Sequence, residues 1–141
     1  MRIVFDPSTL HRSKMGSVTG GVYFDFGPEQ GFPGVGWDDF VVVLAGWWLA
    51  ALNEITRTGR ESVLYFMDGP YSITVVPQEG SKLSLRCTEN RRGARVVQSV
   101  TVDLGEFVRE ITGFARAVSL ACAAAGIESV DLKNLRRLSP S

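Results

Sequence analysis

The stretch GWDDFVVVLAGWWLAALNEI, residues 36 to 55, constrains the fold more than any other part of this chain. It carries no charge from Phe40 to Asn53, which is too short for a membrane span of about twenty apolar residues. Three consecutive valines favour a strand locally, but the apolar run is longer than an ordinary strand. Length and periodicity therefore predict one core helix over residues 38 to 57 of a globular domain.

Apolar residues recur at helical spacing along this segment and define the face that we expect to meet the core: Phe40, Val43, Leu44, Trp47, Ala51, Leu52 and Ile55. Asp38 or Asp39 is the expected N-terminal cap, and Arg57 followed by Gly59 marks the last turn and its left-handed exit.

Trp47 and Trp48 are adjacent and lie about 100° apart around the helix axis, so both can border the core without sharing one position. Core packing is the interpretation adopted for the pair, with Trp47 on the predicted core face. The alternative is that Trp48 or Trp37 lies at the rim and anchors a partner, because tryptophan is enriched among interface hot spots.

Six other segments have the alternation, composition and flanking turn residues of strands, and they comprise residues 2–6, 20–27, 61–69, 71–78, 82–89 and 94–104. The linker from Pro28 to Gly36 is rich in proline and glycine and is expected to lack regular structure. A second helix is predicted to begin at Asp103, which forms a capping pattern with Glu106, and to end at Gly126.

The predicted element order is β-β-α-β-β-β-β-α, which is an α+β domain. We expect an antiparallel sheet of about six strands with two main helices on one face, and meander pairing of the last four strands. The chain is expected to form a single domain over residues 1–141, in which residues 127–141 are a loosely packed tail or a short helix.

Composition disfavours several kinds of site. Lys plus Arg and Asp plus Glu number fifteen each, which removes the overall positive charge expected of a nucleic-acid binder. Cys87 and Cys122 lack metal-binding spacing and are expected to be buried thiols, and His11 has no partner for a cluster. No cofactor or metal is expected, and an N-terminus without an apolar signal segment favours a cytoplasmic location.

The carboxylates are the remaining candidates for a functional site. Asp25, Glu29, Asp38, Asp39 and Asp68 all fall in loops or at element ends from which they can converge. Paired acids can hold a divalent cation or perform general acid-base catalysis, but capping and turn formation explain several of them without a ligand. The preferred interpretation is a non-catalytic acidic surface that holds a basic partner.

Two stretches, GWDDFVVVLAGWWLAAL at 36–52 and YFMDGPYSITV at 65–75, resemble small bacterial immunity proteins of polymorphic-toxin and contact-dependent growth inhibition loci. The resemblance covers residues 2–125 and includes an opening strand that ends in Asp6-Pro7. It implies a cytoplasmic protein without catalysis of its own that binds and neutralises a cognate toxin.

For such a protein the expected partner-binding surface consists of Glu29, Asp38, Asp39 and Asp68, with Trp37 as its apolar anchor. Three alternatives remain open. They are a secretion chaperone, a regulatory protein-binding domain, and a metal-dependent enzyme that uses the loop carboxylates.

Overall fold

The computed structural model describes residues 1–28 and 30–138, and it has the α+β architecture predicted from the sequence. The described elements in chain order are β1 (Arg2–Arg12), β2 (Val18–Asp25), β3 (Gly31–Phe32), β4 (Asp38–Asp39), α1 (Val41–Thr58), β5 (Ser62–Tyr65), β6 (Tyr71–Gln78), β7 (Lys82–Asn90), β8 (Ala94–Asp103), α2 (Leu104–Ala124) and α3 (Val130–Leu138).

The strands form two antiparallel sheets rather than the single sheet of about six strands that we predicted. In the N-terminal sheet, β2 pairs with β1 on one side and with the short strands β3 and β4 on the other. The meander sheet contains β5, β6, β7 and β8 in chain order, which confirms the predicted meander. Neither of the first two strands pairs with a strand of the meander sheet.

The central helix α1 begins at Val41, three residues later than predicted. Asp38 and Asp39 form β4, which pairs with Gly20 and Gly21 of β2, so both aspartates are in extended backbone. The N-cap position is occupied by Phe40, which makes no side-chain capping bond, so the predicted aspartate cap is wrong. The predicted exit is correct, because Gly59 adopts a left-handed conformation and its N–H bonds to the carbonyl of Ile55.

Trp48 is at the centre of the core and is fully buried. Its ring centroid lies 5.3 Å from that of Phe24 in β2, 5.3 Å from that of Phe66 after β5, and 5.2 Å from that of Phe114 in α2. The indole N–H donates to the carbonyl of Tyr65 at 2.9 Å. One side chain therefore joins α1 to both sheets and to α2.

The core assignment of Trp47 is wrong, because 45% of this residue is exposed. The buried positions of α1 include Val41, Val42, Ala45, Trp48 and Leu49 as well as most of the predicted face, so the buried side is centred on Trp48. Neighbouring helical residues point about 100° apart, and this rotation turns Trp47 toward solvent.

For the C-terminal segment we predicted either a loosely packed tail or a short helix, and the structure contains the helix, α3. Leu132 and Leu135 of α3 have no exposed surface, so the helix is packed firmly rather than loosely. The remainder of α3 is exposed, and its neighbours are α1 and α2. Within the described ranges, no helix is both long and apolar enough to cross a membrane.

We expect the Trp48→Ala change to lower the free energy of unfolding by ~3–5 kcal/mol, because it opens a cavity at the junction of both sheets. The matched Trp47→Ala change removes a half-exposed ring and is expected to cost about 1 kcal/mol or less. Urea denaturation of the two variants measures both values. Equal losses would contradict the assignment of Trp48 to the core and Trp47 to the surface.

Candidate functional site

Asp39 and Asp68, two of the predicted acidic residues, meet at a corner of the molecule where β4 lies beside the turn that follows β5. The connection is made by Asp39, whose carboxylate accepts hydrogen bonds from four N–H groups. The indole of Trp37 donates at 2.9 Å, the amide of Phe40 at 2.7 Å, and the amides of Met67 and Asp68 each at 3.2 Å. The carboxylate thus fixes the turn after β5 to the segment that leads into α1.

Asp39 has no exposed surface, so its predicted role in contacting a partner is wrong. A buried carboxylate is stable only when donors replace the water that it loses, and here backbone and indole N–H groups do so. Its role is to hold the corner together. A cation beside Asp39 would face N–H donors instead of further oxygen ligands, which disfavours a metal site at this carboxylate.

Trp37 is half-buried and packs inward on the same corner. Its ring centroid lies 5.2 Å from that of Tyr71 in an edge-on arrangement. A Cβ atom on Gly69 would lie only 2.8 Å from the nearest Trp37 ring atom, so the indole requires a glycine beneath it. The predicted anchor residue is therefore largely engaged within the molecule, and only part of its ring remains free.

Asp38 and Asp68 are the predicted carboxylates that reach solvent at this corner. Asp38 precedes Asp39 in β4, and Asp68 is tied to Asp39 through its own amide. Among residues 1–28 and 30–138, neither carboxylate has a cationic group within 4.0 Å, whereas Glu54, Glu89 and Asp103 all do. The corner therefore carries two uncompensated negative charges. Glu29, the fourth predicted acid, lies outside the described residues.

Beside this corner, a groove separates α1 from β5, and sequence reasoning did not find it. We call it the α1–β5 groove; it has a volume of about 630 Å³ and is lined by Trp47, Ala50, Ala51, Glu54, Ser62, Val63, Tyr65, Phe66 and Met67. The large apolar side chains at its mouth are half exposed, at 45% for Trp47, 57% for Tyr65 and 50% for Met67.

The polarity of the α1–β5 groove changes along its length. At one end Glu54 is paired with Arg57 at 2.8 Å, so its charge is compensated. At the other end Met67 is followed directly by Asp68, so the apolar groove runs into the acidic corner. A surface with apolar anchors and adjoining unpaired acids complements a polypeptide that carries apolar and basic side chains.

The one signal in the sequence for this groove is the stripe of α1 that contains Trp47. Ala50 and Glu54 follow Trp47 at helical spacing of three and seven, and neither is a strong core residue. One small residue and one charge on the same stripe indicate an exposed side. The competing stripe through Leu44, Trp48 and Leu52 is uniformly large and apolar.

The arginine-rich hairpin tip between β7 and β8 is only partly free in solvent. Arg91 donates to the hydroxyl of Tyr71 at 2.9 Å and lies 5.7 Å from the centre of its ring. It also pairs with Glu89 at 3.1 Å, while Arg92 is exposed and Arg95 approaches Glu89 only at 4.0 Å. The tip is thus fixed to the tyrosine against which Trp37 packs.

The nucleophilic side chains lie elsewhere. Cys87 and Cys122 are free and buried, as predicted, and burial raises the pKa of the Cys87 thiol to about 12 and that of Cys122 above its ordinary value. His11 is exposed on β1. Within the described part of the chain, no group of three or more His, Cys, Asp or Glu side chains could hold a metal ion.

No protein-family model matches the chain, and comparisons with curated proteins and with solved structures likewise return no match.

We expect Asp39→Ala to lower the free energy of unfolding by at least about 3 kcal/mol, because four N–H donors lose a charged acceptor in the interior. Asp38→Ala is the matched control, since the neighbouring carboxylate is exposed and should change stability by about 0.5 kcal/mol or less. Urea denaturation near neutral pH compares the variants. Similar small effects would show that Asp39 does not hold the corner together.

We expect the buried Cys87 thiol to make the stability of the fold fall at alkaline pH. The Cys87 thiol keeps its proton in the fold up to a pKa of about 12, whereas its ordinary value is 9.0. The unfolded chain therefore loses this proton first, and stability falls by up to about 1.4 kcal/mol per pH unit from pH 9 to pH 12. Denaturation across this range should show a steeper loss for the wild type than for Cys87→Ala. Parallel profiles would contradict the expectation.

Proposed function

We propose that this protein binds and neutralises a cognate bacterial toxin domain, acts in the cytoplasm, and performs no catalysis of its own. The type of protein is the one implied by the resemblance of the helix and hairpin stretches to immunity proteins. The observation that carries the proposal is the α1–β5 groove, where half-exposed Trp47, Tyr65 and Met67 adjoin the unpaired charges of Asp38 and Asp68.

The apolar part of this surface supports protein binding on energetic grounds. Trp and Tyr are over-represented among the few interface residues that supply most of a binding energy, and they do so when a partner removes them from water. Exposed large side chains that border a groove are therefore useful to a binding protein. Isolated exposed apolar residues such as Leu120 are ordinary and carry no such implication.

The charged part supports the choice of partner. The charges of Asp38 and Asp68 are not compensated within the described chain, because no cation lies within 4.0 Å of either carboxylate. A toxin domain with a basic cleft would supply the missing cations, and such complementarity accelerates association and selects among partners. The acidic corner and the apolar groove together form one proposed contact surface, which replaces the set predicted from the sequence.

The rigidity of the corner supports inhibition by a preformed surface. Asp39 fixes the turn that bears Met67 and Asp68, and Trp48 fixes the strand that bears Tyr65. A backbone that is already held in place loses little freedom when a partner binds. The proposed inhibitor is therefore a rigid domain that covers a site on the toxin.

The test is co-expression with the toxin domain that this proposal expects to be encoded beside the protein, scored by survival of the cells and by co-purification of the complex. Wild type should protect and form a complex. Trp47→Ala should weaken binding about thirtyfold, which corresponds to roughly 2 kcal/mol for a hot-spot aromatic, and should lose protection. Leu120→Ala is the matched control, because it truncates another exposed apolar side chain and should change neither.

Two outcomes would reject the proposal. If wild type does not protect against a toxin that is lethal alone, the immunity function is wrong. If the toxin domain co-purifies with wild type but remains active in an assay of the purified complex, the protein is a carrier of the toxin, as the chaperone alternative states.

A further inference from the structure

The backbone of β5 has one edge that faces away from the meander sheet. This strand pairs only with β6, and the amide of Phe66, just beyond the strand, donates to the carbonyl of Tyr71 at 3.1 Å. Backbone groups of successive strand residues point in opposite directions. Leu64 therefore directs its amide toward β6 as Phe66 does, while Val63 and Tyr65 direct theirs away from it.

A hydrogen bond to the side chain of Trp48 confirms this direction. The carbonyl of Tyr65 accepts the indole N–H of Trp48 from α1, on the side opposite β6. Within the described ranges, Trp48 supplies the one side-chain hydrogen bond to β5. The N–H of Tyr65 and both backbone groups of Val63 thus face the α1–β5 groove, which these two residues line.

An exposed strand edge is a template for another strand, and proteins that do not use such an edge cover it or interrupt it. Here α1 approaches the edge at Tyr65 through Trp48 but leaves a groove of about 630 Å³ along it. Trp47 and Ala50 form the helix wall of that groove, opposite the backbone of Val63. The groove therefore offers a backbone edge on one wall and apolar side chains on the other.

We propose that the α1–β5 groove binds an extended segment of a partner polypeptide as an additional antiparallel or parallel strand on β5. An apolar side chain of that segment packs against Trp47 and Met67, and a lysine or arginine lies beside Asp68. The free edge selects an extended segment over a helix, because a helix has already satisfied its own backbone groups. The basic residue is selected by the unpaired carboxylate at the Met67 end. That the partner is a toxin domain rests on the proposed function. The chemistry of the bound segment follows from the groove alone.

The probe is a phage-displayed library of random dodecapeptides, selected on the immobilised full-length protein. The recovered peptides should contain a basic residue next to alternating apolar residues. Val63→Pro should weaken their binding at least tenfold, because proline lacks the N–H that faces the groove while the bonds of Leu64 to β6 are retained. Val63→Ala is the matched control, since it shortens the same side chain but keeps the amide.

The charge requirement has its own pair of variants. Asp68→Asn should weaken the selected peptides at least tenfold, while Glu79→Gln, which neutralises an exposed carboxylate in the turn between β6 and β7, should leave their affinity unchanged. Peptides that bind Val63→Pro as tightly as Val63→Ala would overturn the strand assignment and indicate an occupant that does not use the backbone. Recovery of no peptide above the level of the uncoated surface would overturn the proposal altogether.

Hydrogen exchange followed by NMR tests the same point in the wild-type protein, so it does not depend on whether Val63→Pro folds. A bound strand should slow exchange of the Val63 or Tyr65 amide, whereas the outward amides of β8 should be unaffected. If the toxin domain is bound and neutralised while both β5 amides exchange at their free rates, strand addition fails and the immunity function stands. If selected peptides protect these amides but no toxin is neutralised, strand addition stands and the immunity function fails.

Discussion

The buried ring of Trp48 determines how α1 packs against the two sheets and against α2. Its ring meets aromatic residues from the N-terminal sheet, from the end of β5 and from α2, and its N–H holds the carbonyl of Tyr65. The two sheets share no strand, and α1, which carries this tryptophan, packs against both and joins them into one core together with α2. Because adjacent helical residues diverge by about 100°, burying Trp48 also turns Trp47 toward the solvent. The exposed wall of the α1–β5 groove is thus a geometric consequence of the core.

A polar interaction complements this apolar one. Asp39 gathers four N–H donors at the point where β4 ends and α1 begins, and two of them come from the turn that separates β5 from β6. The carboxylate therefore determines where Met67 and Asp68 emerge at the surface. The proposed binding surface is assembled between these two fixed points, with Trp48 beneath its apolar part and Asp39 beneath its acidic part.

Much of the fold could be predicted from the sequence because it depends on local periodicity. The apolar run of α1, the alternation in β7 and the turn residues of the meander each specify their element within a few residues. The division into two sheets could not be predicted in this way. One strand of the N-terminal sheet, β4, has only two residues, and it pairs with Gly20 and Gly21 of β2, which are far from it in the sequence. Asp39 was misassigned for the same reason. An aspartate before a helix has the local pattern of a cap, and only the amides of Met67 and Asp68 reveal its actual role.

The candidate site was predicted in part. Asp38 and Asp68 do lie at one corner, but the sequence offered no reason to associate them with Trp47 on α1 or with Tyr65 on the edge of β5. The α1–β5 groove depends on how α1 is rotated about its axis against the sheets. Placing Trp47 instead of Trp48 in the core predicts the wrong rotation and hides the groove. The placement of one aromatic ring therefore decides which surface is available for a partner.

Hydroxyl-radical footprinting of the free protein and of its complex with the toxin domain shows whether the partner covers the α1–β5 groove, because Trp47, Tyr65 and Met67 are all readily oxidised side chains. If the partner binds in this groove, oxidation of these three residues falls on complex formation, while Leu120 on the exposed side of α2 reacts at an unchanged rate. Unchanged oxidation of Trp47, Tyr65 and Met67 in a complex that remains intact would show that the toxin domain binds elsewhere.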